Sequence, residues 1–363
     1  MNAEQVEYVP EVCVWELTLA CNMHCLHCGS SAGRAKEEQL GLSDCLRIAD
    51  ELLALGCRHV TLIGGEVFLY RGWAEVARRL ADGGSTVNVV TNGSIMGNAQ
   101  IEQLRFARVA NVALSVDGME ENHNRIRGSS SSFGKVLASL DRLRQAHIAS
   151  GAVTTLFDFS LSDLESMYWL FVRRGVRVWQ LQIGTAMGNA THRTGLLFDP
   201  ADMSRLTRFI REKRIDGKLW IYAGDDIGYF DENEPYLRAA TQDGVTWRGC
   251  QAGLRVIGID SVGNVRGCSS LYSTRFVEGN VRDRSLSEIW RDPDNFAYNR
   301  SFDVSELEGQ CAACDKGAIC RGGCRGSCYF STGSLFNNTY CNYQRQGTAE
   351  PCLTYIPAWA RLS

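Results

Sequence analysis

Three cysteines, Cys21, Cys25 and Cys28, are spaced C-x3-C-x2-C directly after the apolar run Val12-Cys13-Val14-Trp15-Glu16-Leu17-Thr18-Leu19. Thiolates at that spacing, at the mouth of a strand, can hold three irons of a four-iron cluster and leave the fourth without a protein ligand. A fourth cysteine would make an electron carrier. Its absence makes a site where a small molecule can bind iron directly. Taken alone, the same spacing also suits a zinc site short of one ligand.

The cysteine census separates these chemistries from a disulfide scaffold. Of 15 cysteines in 363 residues, six fall before residue 58, none lies between Cys57 and Cys250, and nine lie from Cys250 onward. Disulfides would rarely leave so long a middle unstapled, so metal or redox chemistry at the two ends is the better description. Hydrophobic content of 45% and charged content of 22% suit one large or two smaller packed domains. A net charge of -3 gives no general reason to bind nucleic acid or an anionic membrane. Glu4, Glu7, Glu11 and Glu16 break up the opening residues, so neither a signal peptide nor a membrane span is expected, and the default compartment is the cytoplasm.

The elements that must position the cysteines follow from periodicity. Strand-like runs near 12–18, 59–63, 87–91, 112–116, 152–157 and 176–183 alternate with helical patterns near 43–55, 73–80, 101–107, 133–146, 161–173 and 201–213, with Ser43 as the first N-cap. Six βα units around a parallel sheet result. They are fewer than the eight that close a standard barrel, so an incompletely closed one is expected, open enough to admit a large substrate. Loops rich in Gly, Asn, Asp or Cys follow the strands and should share one face. Residues 1–216 form this unit, 217–249 read as a bridge, 250–345 as a small cysteine-rich unit and 346–363 as a tail. The small unit should open with a hairpin turning at Ser261-Val262-Gly263 and take much of its folding energy from metal. Cys13, Cys45 and Cys57 read as packing residues.

After the second strand stand Gly64-Gly65-Glu66, two residues that permit close backbone approach and a carboxylate that can take an ammonium. Together with the three cysteines they have the order and strand placement of a radical S-adenosylmethionine (SAM) enzyme, and the chain resembles that family over nearly its whole length. The resemblance implies that SAM chelates the open iron at Cys21, Cys25 and Cys28, that Gly64, Gly65 and Glu66 hold its ammonium, and that one-electron cleavage gives a 5′-deoxyadenosyl radical. It places Ser115 and Arg127 near the methionine carboxylate, in agreement with the bidentate pairing a guanidinium can offer. Two positions depart from the family pattern: His27 stands where an aromatic that packs on adenine is common, and Val67 where proline is frequent. An imidazole can still stack.

Cys250, Gly263, Cys268, Cys311, Cys314, Cys320, Cys324 and Cys341 are similar to the seven-cysteine SPASM extension. The resemblance implies two auxiliary clusters, hence three 4Fe-4S clusters in all: an inner one on Cys250, Cys268 and Cys324, and an outer one on Cys311, Cys314, Cys320 and Cys341. A pair of structural zinc sites is the bland alternative. The inner set lacks a fourth ligand; Cys328 fills the place, or Cys352 does, or that iron too stays open. Members of this group mostly modify peptides or proteins, including ribosomal precursors that receive a thioether or carbon–carbon crosslink. Sulfatase-maturing relatives carry an aspartate after the cysteine matching Cys268, where this chain has Ser269. A peptide-modifying oxidase is therefore expected, with an auxiliary cluster accepting the surplus electron. Its expected partners are a peptide substrate and an electron donor such as flavodoxin or ferredoxin; with only about a dozen residues before the first strand, peptide recognition is expected to use the barrel, the SPASM surface or a separate leader-peptide-binding protein. A small-molecule dehydrogenase or mutase of the same superfamily, or a sulfatase-maturase-like protein oxidase, is the alternative.

Overall fold

The computed structural model describes residues 7–158, 160–224, 226–238 and 247–346, so Cys352 lies outside the described residues. Six parallel strands form where the alternation places them: β1 (Val12–Glu16), β2 (His59–Ile63), β3 (Thr86–Thr91), β4 (Asn111–Ser115), β5 (Ser150–Leu156) and β6 (Val178–Ile183). Between and after them run α1 (Leu42–Ala54), α2 (Trp73–Asp82), α3 (Asn98–Phe106), α4 (Glu120–Arg127), α5 (Ser132–Gln145), α6 (Ser160–Arg174) and α7 (Met203–Asp216). The six βα units thus form an open barrel-like sheet. Among the described residues no helix is long and apolar enough to cross a membrane.

The sheet runs further than the six units. Strand β7 (Trp220–Ala223) pairs parallel to β6, and β8 (Val256–Ile259) pairs parallel to β1 on the opposite flank. The hairpin partner β9 (Asn264–Arg266) and then β10 (Gly279–Asn280) continue antiparallel, for ten strands among the described residues. The hairpin turns where expected, pinned by the Asp260 carboxylate, which accepts from Val262 N at 3.1 Å and Asn264 N at 2.9 Å. Strand β7 falls in the stretch read as a bridge, because four alternating residues give too little periodicity to stand out.

Two further local readings change. Helix α1 begins at Leu42 with extended Gly41 at its N-cap, so Ser43 lies in the first turn and does not cap it. Helix α4 was not foreseen, since Glu-Glu-Asn-His-Asn-Arg-Ile-Arg carries no apolar stripe. Its acids in the first turn, bases in the last and left-handed Gly128 at its end match the helix dipole and a glycine C-cap.

Strand alternation separates two faces. Outward residues such as Trp15, Val60, Leu62, Val112 and Trp179 are completely buried under the helices, and α1 lays Cys45, Ile48, Ala49 and Leu52 against them. Full burial of each large aliphatic side chain contributes about 1.5–3 kcal/mol. Inward residues, among them Thr61, Asn88, Asn111, Ser115, Thr155 and Gln182, stay half-buried around an open lumen. A standard barrel fills this space with packed side chains.

Candidate functional site

The loop after β1 is held by backbone contacts from several strand ends. Cys21 N donates to Gly33 O at 3.0 Å, Leu26 N to Ile126 O at 2.8 Å, and Asn189 N to Cys28 O at 2.9 Å. The Asn189 side chain adds a bond to Cys25 O at 2.9 Å, so the loop after β6 clamps two of the three cysteines. Each thiol has an N–H donor within reach: Asn92 Nδ2 at 4.0 Å from Cys21 Sγ, Arg127 Nη1 at 3.8 Å from Cys25 Sγ and Ala32 N at 3.3 Å from Cys28 Sγ. Such donors stabilise thiolate sulfur and suit an iron–sulfur cluster. Without metal, burial pushes the Cys21 thiol up to about 11 and raises Cys25 as well.

Gly64 and Gly65 press on this loop. A Cβ on Gly64 would lie 2.8 Å from Thr18 O, and one on Gly65 would lie 2.5 Å from Ala20 O and 2.7 Å from Leu19 O. The close approach lets Gly65 N donate to Thr18 O at 2.6 Å and Glu66 N to Ala20 O at 2.7 Å. The Glu66 carboxylate accepts from Thr91 Oγ1 at 2.8 Å, Asn92 N at 2.9 Å and Phe68 N at 3.3 Å. Three of its roughly four acceptor positions are thus spent tying the ends of β2 and β3 together, which leaves one for a ligand ammonium. Burial raises this carboxyl from its usual range.

Beside the loop lies a buried charge cluster centred on Asp117, two residues past the end of β4. Arg127 Nη2 pairs with Asp117 Oδ2 at 2.6 Å, and His27 Nε2 lies 3.3 Å from the same oxygen. Thr155 N donates to Asp117 Oδ1 at 3.0 Å. Burial is the largest influence and would raise the Asp117 carboxyl, but Arg127, His27, His123 and the Thr155 N–H together outweigh it and hold the group below the usual carboxylate range. The His27 ring packs edge-on to Phe157 at 5.4 Å, and burial pushes its pKa down to about 4, so it is neutral at physiological pH. Arg127 is therefore already paired with Asp117 while its other nitrogen faces Cys25. Ser115 ends β4 on the lumen face, opposite Val153. Strand-end position was the sequence signal for Asp117 and Asn92; Asn189 had none.

The C-terminal cysteines gather as two sets. Cys311, Cys314, Cys320 and Cys341 line one small pocket with Phe230 and Tyr343, which fits four ligands of a single cluster. Burial pushes Cys320 and Cys341 up to about 12, each raised further by its neighbours in the set. In the other set, Cys324 lies within electrostatic reach of Cys250, and Tyr298 is within reach of both Cys250 and Cys268. Cys328 is fully buried one helical turn beyond Cys324, near Cys324, Cys311 and Cys250, with its thiol donating to Gly322 O at 3.1 Å. It sits between the two sets.

Comparison with known proteins agrees with this geometry. A family model for the radical SAM superfamily matches residues 15–168, and one for the SPASM iron–sulfur cluster-binding domain matches residues 250–315. The AdoMet-dependent heme synthase of Methanosarcina barkeri is 28% identical over 349 residues, spanning 92% of this chain and 97% of that protein. The mycofactocin maturase MftC of Mycobacterium ulcerans is 27% identical over 339 residues, 90% of this chain and 87% of that one. In fold, the chain is similar to Streptococcus suis SuiB bound to S-adenosylmethionine, with a TM-score of 0.73 at 16% identity over 92% of this chain and 78% of that one. The chain belongs to the radical SAM superfamily and is an enzyme with a SPASM domain, for which S-adenosylmethionine and 4Fe-4S clusters are the implied cofactors.

Proposed function

We propose that this enzyme oxidatively modifies a peptide, such as a ribosomally made precursor that receives a thioether or carbon–carbon crosslink. In this reading residues 1–216 hold the SAM site and residues 250–345 two auxiliary clusters. SAM, when bound, supplies a 5′-deoxyadenosyl radical able to take hydrogen from an unactivated carbon. Cys21, Cys25 and Cys28 hold the first cluster. Gly64 and Gly65 let backbone approach the ligand, Glu66 offers its remaining acceptor position to the ammonium, and Ser115 faces the same lumen. Arg127, oriented by Asp117, donates toward Cys25 and presents positive charge to the methionine carboxylate. His27, anchored by Asp117, offers a neutral ring to adenine. Cys250, Cys268 and Cys324 hold the inner auxiliary cluster, with Cys328 beside them. Cys311, Cys314, Cys320 and Cys341 hold the outer one.

One observation carries the peptide reading. The inward face of the sheet offers amide and hydroxyl groups, Asn88, Asn111, Gln180, Gln182, Thr61 and Thr155, and strands β1 to β7 contain no lysine or arginine. Amides and hydroxyls match the N–H and C=O groups of a peptide backbone. At the open edge Trp220 and Tyr222 are 36% and 43% exposed and share this face, a surface suited to an extended chain. MftC is a maturase, SkfB of Bacillus subtilis is a sporulation killing factor maturation protein, and SuiB has been solved bound to the precursor peptide SuiA. Three relatives named heme synthase favour a second reading, a substrate related to heme.

The test is mass spectrometry of candidate precursor peptides and of iron porphyrins incubated with the reduced, cluster-loaded enzyme and SAM. A peptide that loses two hydrogens, or gains another defined mass shift, in step with 5′-deoxyadenosine is expected. Turnover confined to the porphyrin would overturn the peptide reading.

A further inference from the structure

Glu16 ends β1 as the sole acid in an apolar strand, and it is only 4% exposed. Strand parity places it with Val12 and Val14 on the lumen face, since Cys13 and Trp15 are the residues that pack under the helices. Its carboxyl meets a hydroxyl from each of two cysteine loops. Tyr272 Oη lies 3.4 Å from Glu16 Oε1, and the Ser30 side chain hydrogen-bonds the same carboxyl. Ser30 follows Cys28 in the first cluster loop. Tyr272 leaves the turn of Cys268, which is closed by Leu271 N donating to Cys268 O at 3.1 Å.

The Cys268 turn lies against the lumen side of the sheet next to Glu16. Gly258 of β8 pairs with Val14, and a Cβ on it would lie 2.6 Å from Ser269 N and 2.9 Å from the Cys268 carbonyl carbon. Only glycine lets that turn lie so close. The other groups facing the carboxyl are Asp260 and Arg266, paired with each other at 2.8 Å, with the Arg266 guanidinium 5.1 Å over the Tyr272 ring. On the β2 side its partner is the uncharged Ile63. Burial pushes Glu16 up to about 7; Asp260 adds to this, while the two hydroxyls and Arg266 oppose it.

We propose that Glu16 is a redox-linked proton acceptor, taking up one proton when the inner auxiliary cluster of Cys250, Cys268 and Cys324 takes up one electron and releasing it on reoxidation. Negative charge added in a desolvated site favours the neutral form of a nearby acid, and Tyr272 joins the carboxyl to the cysteine turn. Charge balances: the cluster becomes one unit more negative and the carboxylate one unit less. In turnover the electron is the surplus one left when the S–H or C–H group that attacks the substrate radical forms the new bond, and the proton taken by Glu16 is the one that this group loses as its S–H or C–H bond breaks. The inference rests on the cluster assignment of the proposed function.

The experiment is a potentiometric titration of the anaerobic, cluster-loaded enzyme with dithionite at a series of pH values, following the auxiliary cluster by electron paramagnetic resonance. Below about pH 7 Glu16 already holds its proton and the potential should be flat. Above it the potential should fall by up to about 59 mV per pH unit, the value for one electron and a tenfold change in proton activity. Glu16→Gln should remove the slope and Glu16→Asp should keep it. A pH-independent wild-type potential, or a slope that survives in Glu16→Gln, would overturn the inference. Should Glu16→Gln fail to load clusters, Tyr272→Phe decides: a reduced slope supports the link and an unchanged one refutes it. Wild-type protein without iron and sulfide would overturn the cluster assignment as well, whereas clusters with pH-independent potentials overturn this inference alone.

Discussion

Replacing Gly65 by alanine tests whether the glycine pair exists to let the β2 end close on the cluster loop. The added methyl would sit 2.5 Å from Ala20 O and 2.7 Å from Leu19 O, where real contacts essentially never fall below 3.0 Å, and both neighbours are backbone. The loop must retreat by half an ångström or more. That retreat stretches the two short bonds Gly65 N to Thr18 O and Glu66 N to Ala20 O, each worth about 1 kcal/mol net. Overpacking adds roughly 1–3 kcal/mol. A total near 3–5 kcal/mol lowers the population of the productive loop by more than about 100-fold. The assay is 5′-deoxyadenosine formation under anaerobic conditions together with iron content. Cleavage should fall about 100-fold while iron on the C-terminal cysteines remains. Gly33 in the same loop is the control, because a Cβ there meets nothing within 4 Å. Cleavage unchanged in Gly65→Ala, or equally impaired in Gly33→Ala, would refute the argument.

Other perturbations follow from the same geometry. Arg127→Met strands the buried Asp117 carboxylate and should cost about 3–5 kcal/mol, whereas adding Asp117→Asn to it should recover part of the loss; anaerobic thermal unfolding of the single and double variants reads the difference. Asn189→Ala removes the side-chain bond to Cys25 O and should reduce SAM cleavage about tenfold, for roughly 1.5 kcal/mol, without changing the iron of the C-terminal unit. Cys320→Ala should remove the iron of one cluster and spare the spectroscopic signal of the SAM cluster. His27 and His123, both pushed down to about 4 by burial, are neutral when folded and take protons when unfolded. Stability should therefore fall as pH drops from about 6.5 toward 4, and His123→Asn should flatten part of that slope in pH-dependent unfolding.

The fold and the placement of the cysteine loops were legible because they depend on short-range signals. Six strands alternate and six helices repeat at helical spacing, so their existence survives a one- or two-residue error at each end. The cysteine spacings and Gly64-Gly65-Glu66 are local as well. What could not be read is set by long-range packing. Helix α4 has a single apolar residue, Ile126, too little for a stripe, and Ile126 O accepts from Leu26 N in the cluster loop. Strand β7 is four residues whose outward pair, Ile221 and Ala223, is buried because pairing with β6 brings it into the core with Leu206 and Ile210 of α7. Asn189 clamps the cluster loop across more than 160 residues of chain, a separation at which spacing carries no information. Glu16 was visible as an acid in an apolar run, yet only the Cys268 turn across Gly258 gives that acid a neighbour.

Two buried ion pairs beside the cysteine loops, Arg127–Asp117 and Arg266–Asp260, are expensive ways to hold a fold together. Replacing such a pair by well-packed apolar residues is often neutral or stabilising, so stability alone does not account for them. Each stands next to one cysteine loop: Arg127 donates toward Cys25, and Arg266 lies over Tyr272, on the turn of Cys268. A cluster that changes charge by one unit in a desolvated pocket needs fixed dipoles and cations that do not reorganise when the electron arrives. A guanidinium whose partner carboxylate locks its plane supplies both. The lumen between the loops carries no lysine or arginine on its strands, so charge is concentrated at the two cysteine-bearing ends. The middle, where the substrate would lie, is left to uncharged hydrogen-bonding groups.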